Sequence, residues 1–354
     1  MNVRKVGEKL LNSKSPGPLI RLALVPLTGL SLLYAWIMTA RALLYRIGAL
    51  RSHTLPCSVI TVGNLTVGGT GKTPTVVRLA KRLQQQGYRV AVVNRGYRGS
   101  MTATAQVVSN GEACCAAAKE VGDEACMLAE KLPGIPVVAG RHRVAACRKA
   151  RELCNAQLIL LDDGFQHLRL ARDCDIVLIN AANPFGNGYL LPRGILREPL
   201  TALKRASCIL LTKTDTPGIN TLTLKDRIKH YAPGAPIFTA AVKPASLRSL
   251  ATGAPIAGDD LSGQPVAGLC SIGDPENFFS MLQHLGAAPI TRLAYPDHHQ
   301  YQQQDYETIQ ARSQKCSYIL TTDKDITKID QTMINKDKYI VVEIEQNIDE
   351  EDTL

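Results

Sequence analysis

An α/β fold built on a doubly wound, mostly parallel sheet is predicted by three features of this sequence. A β-rich run over 58–62 leads into Gly63-Asn64-Leu65-Thr66-Val67-Gly68-Gly69-Thr70-Gly71-Lys72-Thr73, and then into the apolar-periodic positions Val76, Val77, Leu79, Ala80 and Leu83. Short β-branched runs then alternate with helical patterns as far as Thr212. Ahead of all this, residues 22–40 carry no charge at all.

Strand, glycine-rich turn and helix make the context of a phosphate-binding loop. Glycines let successive N–H groups turn inward, and the helix N-terminus adds partial positive charge. The residues placed to bind a nucleoside triphosphate are Thr66, Val67, Gly68, Gly69, Thr70, Gly71, Lys72 and Thr73. Lys72 can reach the β- and γ-phosphates, and the Thr73 hydroxyl can ligate Mg²⁺. Thr66 stands where G-x-x-x-x-G-K-[ST] has its first glycine, leaving Gly68 and Gly69 to supply the turn. The fold class is therefore P-loop NTPase-like.

After the loop, strands are expected over 89–94, 135–139, 158–161, 175–180 and 208–212, with helices over 122–131 and 144–154. Pro233-Gly234-Ala235-Pro236 reads as a linker to a second, smaller α/β domain with strands near 265–271, 318–321 and 339–343. The expected domains are 1–52, an N-terminal membrane-associated helical segment; 53–235, the phosphate-loop domain; and 236–354. The acidic tail from Asp349 is expected to fray.

The chain of 354 residues is 45% hydrophobic, enough for two separate cores. Its ten cysteines show no C-x-x-C and no pairing rhythm, which fits reduced thiols facing the cytosol. Much of the net charge of +10 comes from residues 1–52, where eight Lys and Arg stand against Glu8 alone. A stretch of 19 residues just reaches across a bilayer core of about 30 Å. Both flanks are basic, which disfavours a span under the positive-inside rule. The expectation is a pair of helices lying in the membrane interface, bent at Pro26 and Gly29, with Tyr34 and Trp36 sitting deeper and the basic residues on an anionic membrane surface. A helix buried within the fold is the alternative. No nucleic-acid partner is expected, because the charge lies beside an apolar run rather than among aromatics. No obligate protein partner is implied.

Leu158-Ile159-Leu160-Leu161-Asp162-Asp163-Gly164 is an apolar strand ending in paired carboxylates, followed by Phe165-Gln166-His167. A strand-end aspartate beside a phosphate loop binds Mg²⁺ or anchors the loop lysine. Asp123 and Glu124 open a helix after Gly122; one can act as base for an alcohol and the other reach the metal. Asn94-Arg95-Gly96-Tyr97 and Arg141-His142 leave strand ends on the ligand-binding edge of the sheet. Asp297-His298-His299 makes a poor metal motif, and a carboxylate-paired histidine that tunes a base is the sharper reading. Thr212-Lys213-Thr214-Asp215 matches the [NT]-K-x-D by which GTPases select guanine, which raises the rival reading of a membrane-associated GTPase switch. Against it, no D-x-x-G follows the Asp162 strand.

Taken together these segments resemble the tetraacyldisaccharide 4′-kinases, the lipid A kinases of Gram-negative bacteria. The likeness covers nearly the whole chain. It rests on the loop with Thr66 at the glycine position, Arg95-Gly96-Tyr97, Gly122-Asp123-Glu124, Asp162-Asp163-Gly164-Phe165-Gln166-His167, Phe185-Gly186-Asn187-Gly188 with Leu191-Pro192-Arg193-Gly194, and Asp297-His298. It implies transfer of the ATP γ-phosphate to the 4′-hydroxyl of a membrane-embedded tetraacyldisaccharide 1-phosphate glycolipid. It also implies Asp123 as general base with His298 as its partner. Thr73, Glu124, Asp162 and Gln166 would lie near Mg²⁺, and Asp163 would steady Lys72. Asn94, Arg95, Gly96, Tyr97, Arg141 and His142, and the loop over Gly186–Gly194 with Gly186, Asn187 and Gly188, would line the glycolipid side. The family uses ATP despite its T-K-x-D segment. The implied location is the cytoplasmic face of the inner membrane.

Overall fold

The computed structural model describes residues 24–96, 100, 103–113, 115–116, 118–214, 216, 218–272, 275–296 and 299–349. The chain forms two compact units, 1–241 with 348–354, and 242–347.

The first unit holds β1 (Ser58–Asn64), β2 (Val90–Asn94), β3 (Gln106–Ser109), β4 (Val137–Ala139), β5 (Leu158–Asp162), β6 (Cys174–Asn180), β7 (Cys208–Thr212) and the start of β8 (Ile237–Ser249). Their order is β8-β7-β6-β1-β5-β2-β4-β3. Every pairing is parallel except β3 on β4. The central strands read as unbroken apolar runs because both faces of a parallel sheet are covered. On one face Val62, Val92, Leu160 and Leu178 pack with helices α2 (Lys72–Gln85) and α3 (Asp123–Lys131), through Val76, Leu79, Ala125 and Leu128. On the other, Val59, Val93, Ile159 and Leu161 meet α4 (Arg143–Cys154) at Val144, Cys147 and Ala150. Val177, Ile179, Ile209 and Leu211 meet α5 (Thr221–Tyr231) at Leu224 and Ile228. The chain reverses its direction of travel across the sheet at β1, so a crevice opens beyond the carboxyl ends of β1 and its neighbours.

The second unit stacks β10 (Ile290–Ala294), β9 (Val266–Cys270), β11 (Tyr318–Thr322) and β12 (Tyr339–Ile348) in that order, all parallel. Helices α6 (Pro275–His284) and α7 (Gln303–Arg312) cover its faces through Phe278, Phe279 and Leu282, and through Tyr306 and Ile309.

The boundary differs from the sequence expectation. Pro233–Pro236 is a turn inside the first unit, where the Pro236 carbonyl accepts from the Ile209 N–H at 2.9 Å. The division falls within β8, a strand hidden from sequence by Pro244, a residue that argues against a strand interior. Asp349, expected to fray, donates its N–H to the Thr239 carbonyl at 2.9 Å, and Ile348 is buried in the first unit's core.

The N-terminal segment also differs. Among the described residues it is one helix, α1 (Val25–Arg46); residues 1–23, where another helix of the expected pair would fall, lie outside them. Pro26 sits in the first turn, where its missing N–H costs nothing, so it starts the helix instead of bending it. Nor is α1 buried. Val25, Leu30, Leu32, Leu33, Trp36, Ile37, Leu43 and Leu44 are exposed, Trp36 by 69%. Its inner stripe is the more polar one. Ser31, Tyr34 and Arg41 lie on it, and the Ser31 hydroxyl donates to the Leu190 carbonyl at 2.9 Å.

One glycine of β1 is fixed by packing. A Cβ on Gly63 would lie 2.5 Å from the Phe165 Cβ and 2.9 Å from its backbone nitrogen. Gly63→Ala is expected to cost about 1–3 kcal/mol of unfolding free energy, read as a lower urea midpoint at unchanged slope.

Candidate active site

The phosphate loop leaves β1 and is stitched to a distant segment. The Val67 N–H donates to the Ile195 carbonyl at 2.8 Å, the Arg197 N–H to the Leu65 carbonyl at 2.7 Å, and Thr66 bridges Leu196. Gly68 and Gly69 have open space around their Cα atoms. Below them the Thr70 carbonyl accepts from the Thr212 hydroxyl at 3.0 Å. Gly71, at φ +83°, precedes the first helical residue, so α2 begins at Lys72 and Thr73 with no acidic residue in its first turn. The unsatisfied N–H groups there form an anion site.

Lys72 Nζ lies 3.3 Å from Asn64 Oδ1 and 3.7 Å from Asp163 Oδ1. Asp163, at φ +55°, also accepts from Arg197 Nη1 at 2.9 and 3.0 Å. Burial would raise its pKa, but Lys72 and Arg197 together hold its carboxyl below the usual range. Asp162 is the opposite case. It is 3% exposed, and burial pushes it up to about 6 against the opposing pull of Lys72, with Glu124 and Asp163 raising it further. Asn94 Nδ2 donates to Asp162 Oδ2 at 2.9 Å, while Oδ1 is buried without a partner. Arg143 donates to the Asp162 carbonyl at 3.3 Å and to the Gly140 carbonyl at 2.8 Å. Gln166 Nε2 donates to the Asn64 carbonyl at 2.8 Å, and the Gln166 carbonyl accepts from Arg41 of α1 at 3.1 Å.

The residues expected at the site therefore separate. Lys72, Thr73, Asp162, Asp163 and Gln166 share the crevice, and Glu124 is near enough for its charge to act on Asp162. Asn94, expected on the acceptor side, is buried, its Oδ1 taking the Gly96 N–H at 2.8 Å and its Nδ2 donating to Asp162. Asp123, Arg95, Arg141 and His142 are exposed. Gly186, Asn187 and Gly188 form a turn in which Asn187 braces the Arg193 carbonyl at 3.0 Å. Tyr97, Asp297 and His298 lie outside the described residues, as does Asp215 of the T-K-x-D segment. Sequence reasoning missed Asn64, Arg143 and Arg197. Of these, Arg143 had a signal, as the third residue of Arg141-His142-Arg143 at a strand end.

The donor set suits Mg²⁺. Among the described residues no three His, Cys, Asp or Glu side chains converge on one point. A magnesium ion needs fewer, because it keeps waters and takes substrate phosphate oxygens alongside one or two carboxylates. The orphaned Asp162 Oδ1 is the oxygen such an ion would satisfy.

Residues 22–354 match the family model described as tetraacyldisaccharide-1-P 4′-kinase. The chain belongs to this family. It is 40% identical over 316 residues to the tetraacyldisaccharide 4′-kinase of Syntrophus aciditrophicus, covering 84% of each chain. With the enzyme of that name from Halothermothrix orenii it shares 37% over 354 residues, 95% of this chain and 91% of the relative. A crystal structure of the "apo" form of LpxK from Aquifex aeolicus in complex with ATP superposes with a TM-score of 0.72 at 29% identity, covering 94% and 96% of the two chains. As a tetraacyldisaccharide 4′-kinase, the chain transfers the ATP γ-phosphate to the 4′-hydroxyl of a tetraacyldisaccharide 1-phosphate in lipid A biosynthesis. The guanine-selective switch is set aside with that assignment. What remains of Thr212 is structural, a hydroxyl that supports the floor of the phosphate loop.

Proposed function

We propose how this chain performs the transfer and where. The Thr70–Thr73 amides and Lys72 hold the β- and γ-phosphates, and Asp163, gripped by Arg197, keeps Lys72 aimed at them. Thr73 and Asp162 hold Mg²⁺, with Glu124 and Gln166 beside it; bound there, the ion neutralises charge on the phosphate oxygens. Asp123, accessible at the start of α3, takes the proton from the 4′-hydroxyl. His298, assigned by the family resemblance, tunes that carboxylate. Arg95, Gly96 and Tyr97, Arg141 and His142, and the turn at Gly186–Asn187–Gly188 serve the acceptor side.

The observation that carries the reading is the convergence of Lys72, Asp162, Asp163 and Arg197 at the mouth of the phosphate loop. Transfer of ³²P from γ-labelled ATP to purified disaccharide 1-phosphate tests it; label released only as free phosphate would sink it.

The reading places the enzyme on the cytoplasmic face of the inner membrane, where ATP is available. Helix α1, 22 residues, is long and apolar enough to cross a bilayer. Its support for lying on the surface is the face it turns away from the protein, which is apolar and flanked by Arg46 and Arg51. Each large side chain leaving water on that face contributes about 1.5–3 kcal/mol. Leu33→Asp with Trp36→Asp is expected to lower partitioning into phosphatidylglycerol vesicles by roughly 100-fold or more, while circular dichroism stays native. Unchanged flotation with vesicles would refute the membrane role of this face.

A further inference from the structure

We propose that Arg193 forms a phosphate-binding subsite on the acceptor side of the enzyme, separate from the phosphate loop. Arg193 is 6% exposed, yet its Nε and Nη1 are buried without hydrogen-bond partners, and among the described residues no carboxylate pairs with it. Its one neighbour of note is the Tyr189 ring, 4.8 Å from the guanidinium carbon. An arginine stays charged at every accessible pH. A ring face replaces only part of the hydration that burial removes. A planar fork of this kind, with two nitrogens unpartnered, fits the oxygens of a phosphate monoester or diester.

Its place in the chain says which phosphate. The Gly194 N–H and the Ser31 hydroxyl of α1 both donate to the Leu190 carbonyl, at 2.9 Å each. Two residues beyond Arg193, the Ile195 carbonyl receives the Val67 N–H of the phosphate loop. Arg193 thus sits on the short connection between the membrane-facing helix and the donor site. The turn is tight: a Cβ on Gly194 would lie 2.1 Å from the Tyr189 carbonyl oxygen. Tyr189, 39% exposed, is the cover that turns aside to admit the anion. The acceptor carries a phosphate at position 1, away from its reacting 4′-hydroxyl, and anionic headgroups of the bilayer carry the same chemistry. Assigning the acceptor as the source rests on the kinase reading above.

The test compares wild type, Arg193→Ala and Arg193→Lys on acceptor with and without the 1-phosphate, by equilibrium binding and by turnover. Arg193→Ala should weaken binding and kcat/KM for the phosphorylated acceptor by roughly 10- to 100-fold and leave the dephosphorylated acceptor unchanged. Arg193→Lys should recover part of the loss. A loss confined to binding of phosphatidylglycerol over phosphatidylcholine vesicles would support the subsite with a lipid headgroup as its ligand. Equal losses on both acceptors with vesicle binding unaltered, or no loss, would overturn it. Thermal melts of each variant separate misfolding from lost recognition. Wild type that binds the phosphorylated acceptor preferentially but transfers nothing would overturn the kinase mechanism and leave the subsite standing.

Discussion

Asp162→Asn is expected to lower kcat by roughly 10³-fold and, at the same time, to stabilise the metal-free protein. The carboxylate is 3% exposed with one oxygen unpartnered, so burial opposes its charge. Its folded pKa, about 6, stands above the ordinary carboxylate value of 3.8. The sign follows from linkage. A group whose folded pKa is raised binds protons more readily in the folded state, so its ionised form detracts from stability. That cost is full above about pH 6 and fades as pH falls towards 4. Removing the charge should therefore return about 1–3 kcal/mol at pH 7.5. Melts of wild type and variant in chelator should differ at pH 7.5 and converge near pH 4. A variant less stable than wild type at pH 7.5 would contradict this account of the site.

Asp123→Ala is expected to lower turnover by about 10²- to 10⁴-fold, the usual contribution of a positioned general base. Affinity for ATP should change little, because Asp123 stands at the start of α3, and the described residues that hold the phosphate loop do not include it. Rapid-quench turnover together with ATP titration checks this. Near-wild-type turnover would remove Asp123 from the base role. The two substitutions separate cleanly: one affects charge stabilisation and stability together, the other proton transfer alone.

The donor half of this site was readable in the sequence because its signals are local. Strand, glycines, Lys72 and Thr73 are contiguous, and the Asp162-Asp163 pair ends an apolar strand that registers directly beside β1, Val62 against Asp162. Arg197 was not readable. It reaches Asp163 across 34 residues of chain, and only the hydrogen bonds from Val67 and Arg197 to the opposite segment bring it there. The docking of α1 was hidden for a different reason. Hydropathy averages over the helix, whereas the sorting of Ser31, Tyr34 and Arg41 inward and Leu33 and Trp36 outward appears only when its partner surface is known. Strand β8 was masked by Pro244, and Asn94 was given to the acceptor because nothing in sequence indicates that its amide is already engaged by Asp162.

The inward polarity of α1 bears on making this enzyme tractable in aqueous solution. Truncating the helix would strip the Leu190 carbonyl of its Ser31 donor, uncover the cluster that Tyr34 and Ala35 pack against, and free the Gln166 turn from Arg41. Resurfacing avoids all three losses. Polar residues at Leu30, Leu33, Trp36 and Ile37 would change only exposed positions, leaving Ser31, Tyr34 and Arg41 in place. The product would be a detergent-free kinase whose acceptor loop remains clamped, suited to crystallisation and to inhibitor screening with soluble acceptor analogues.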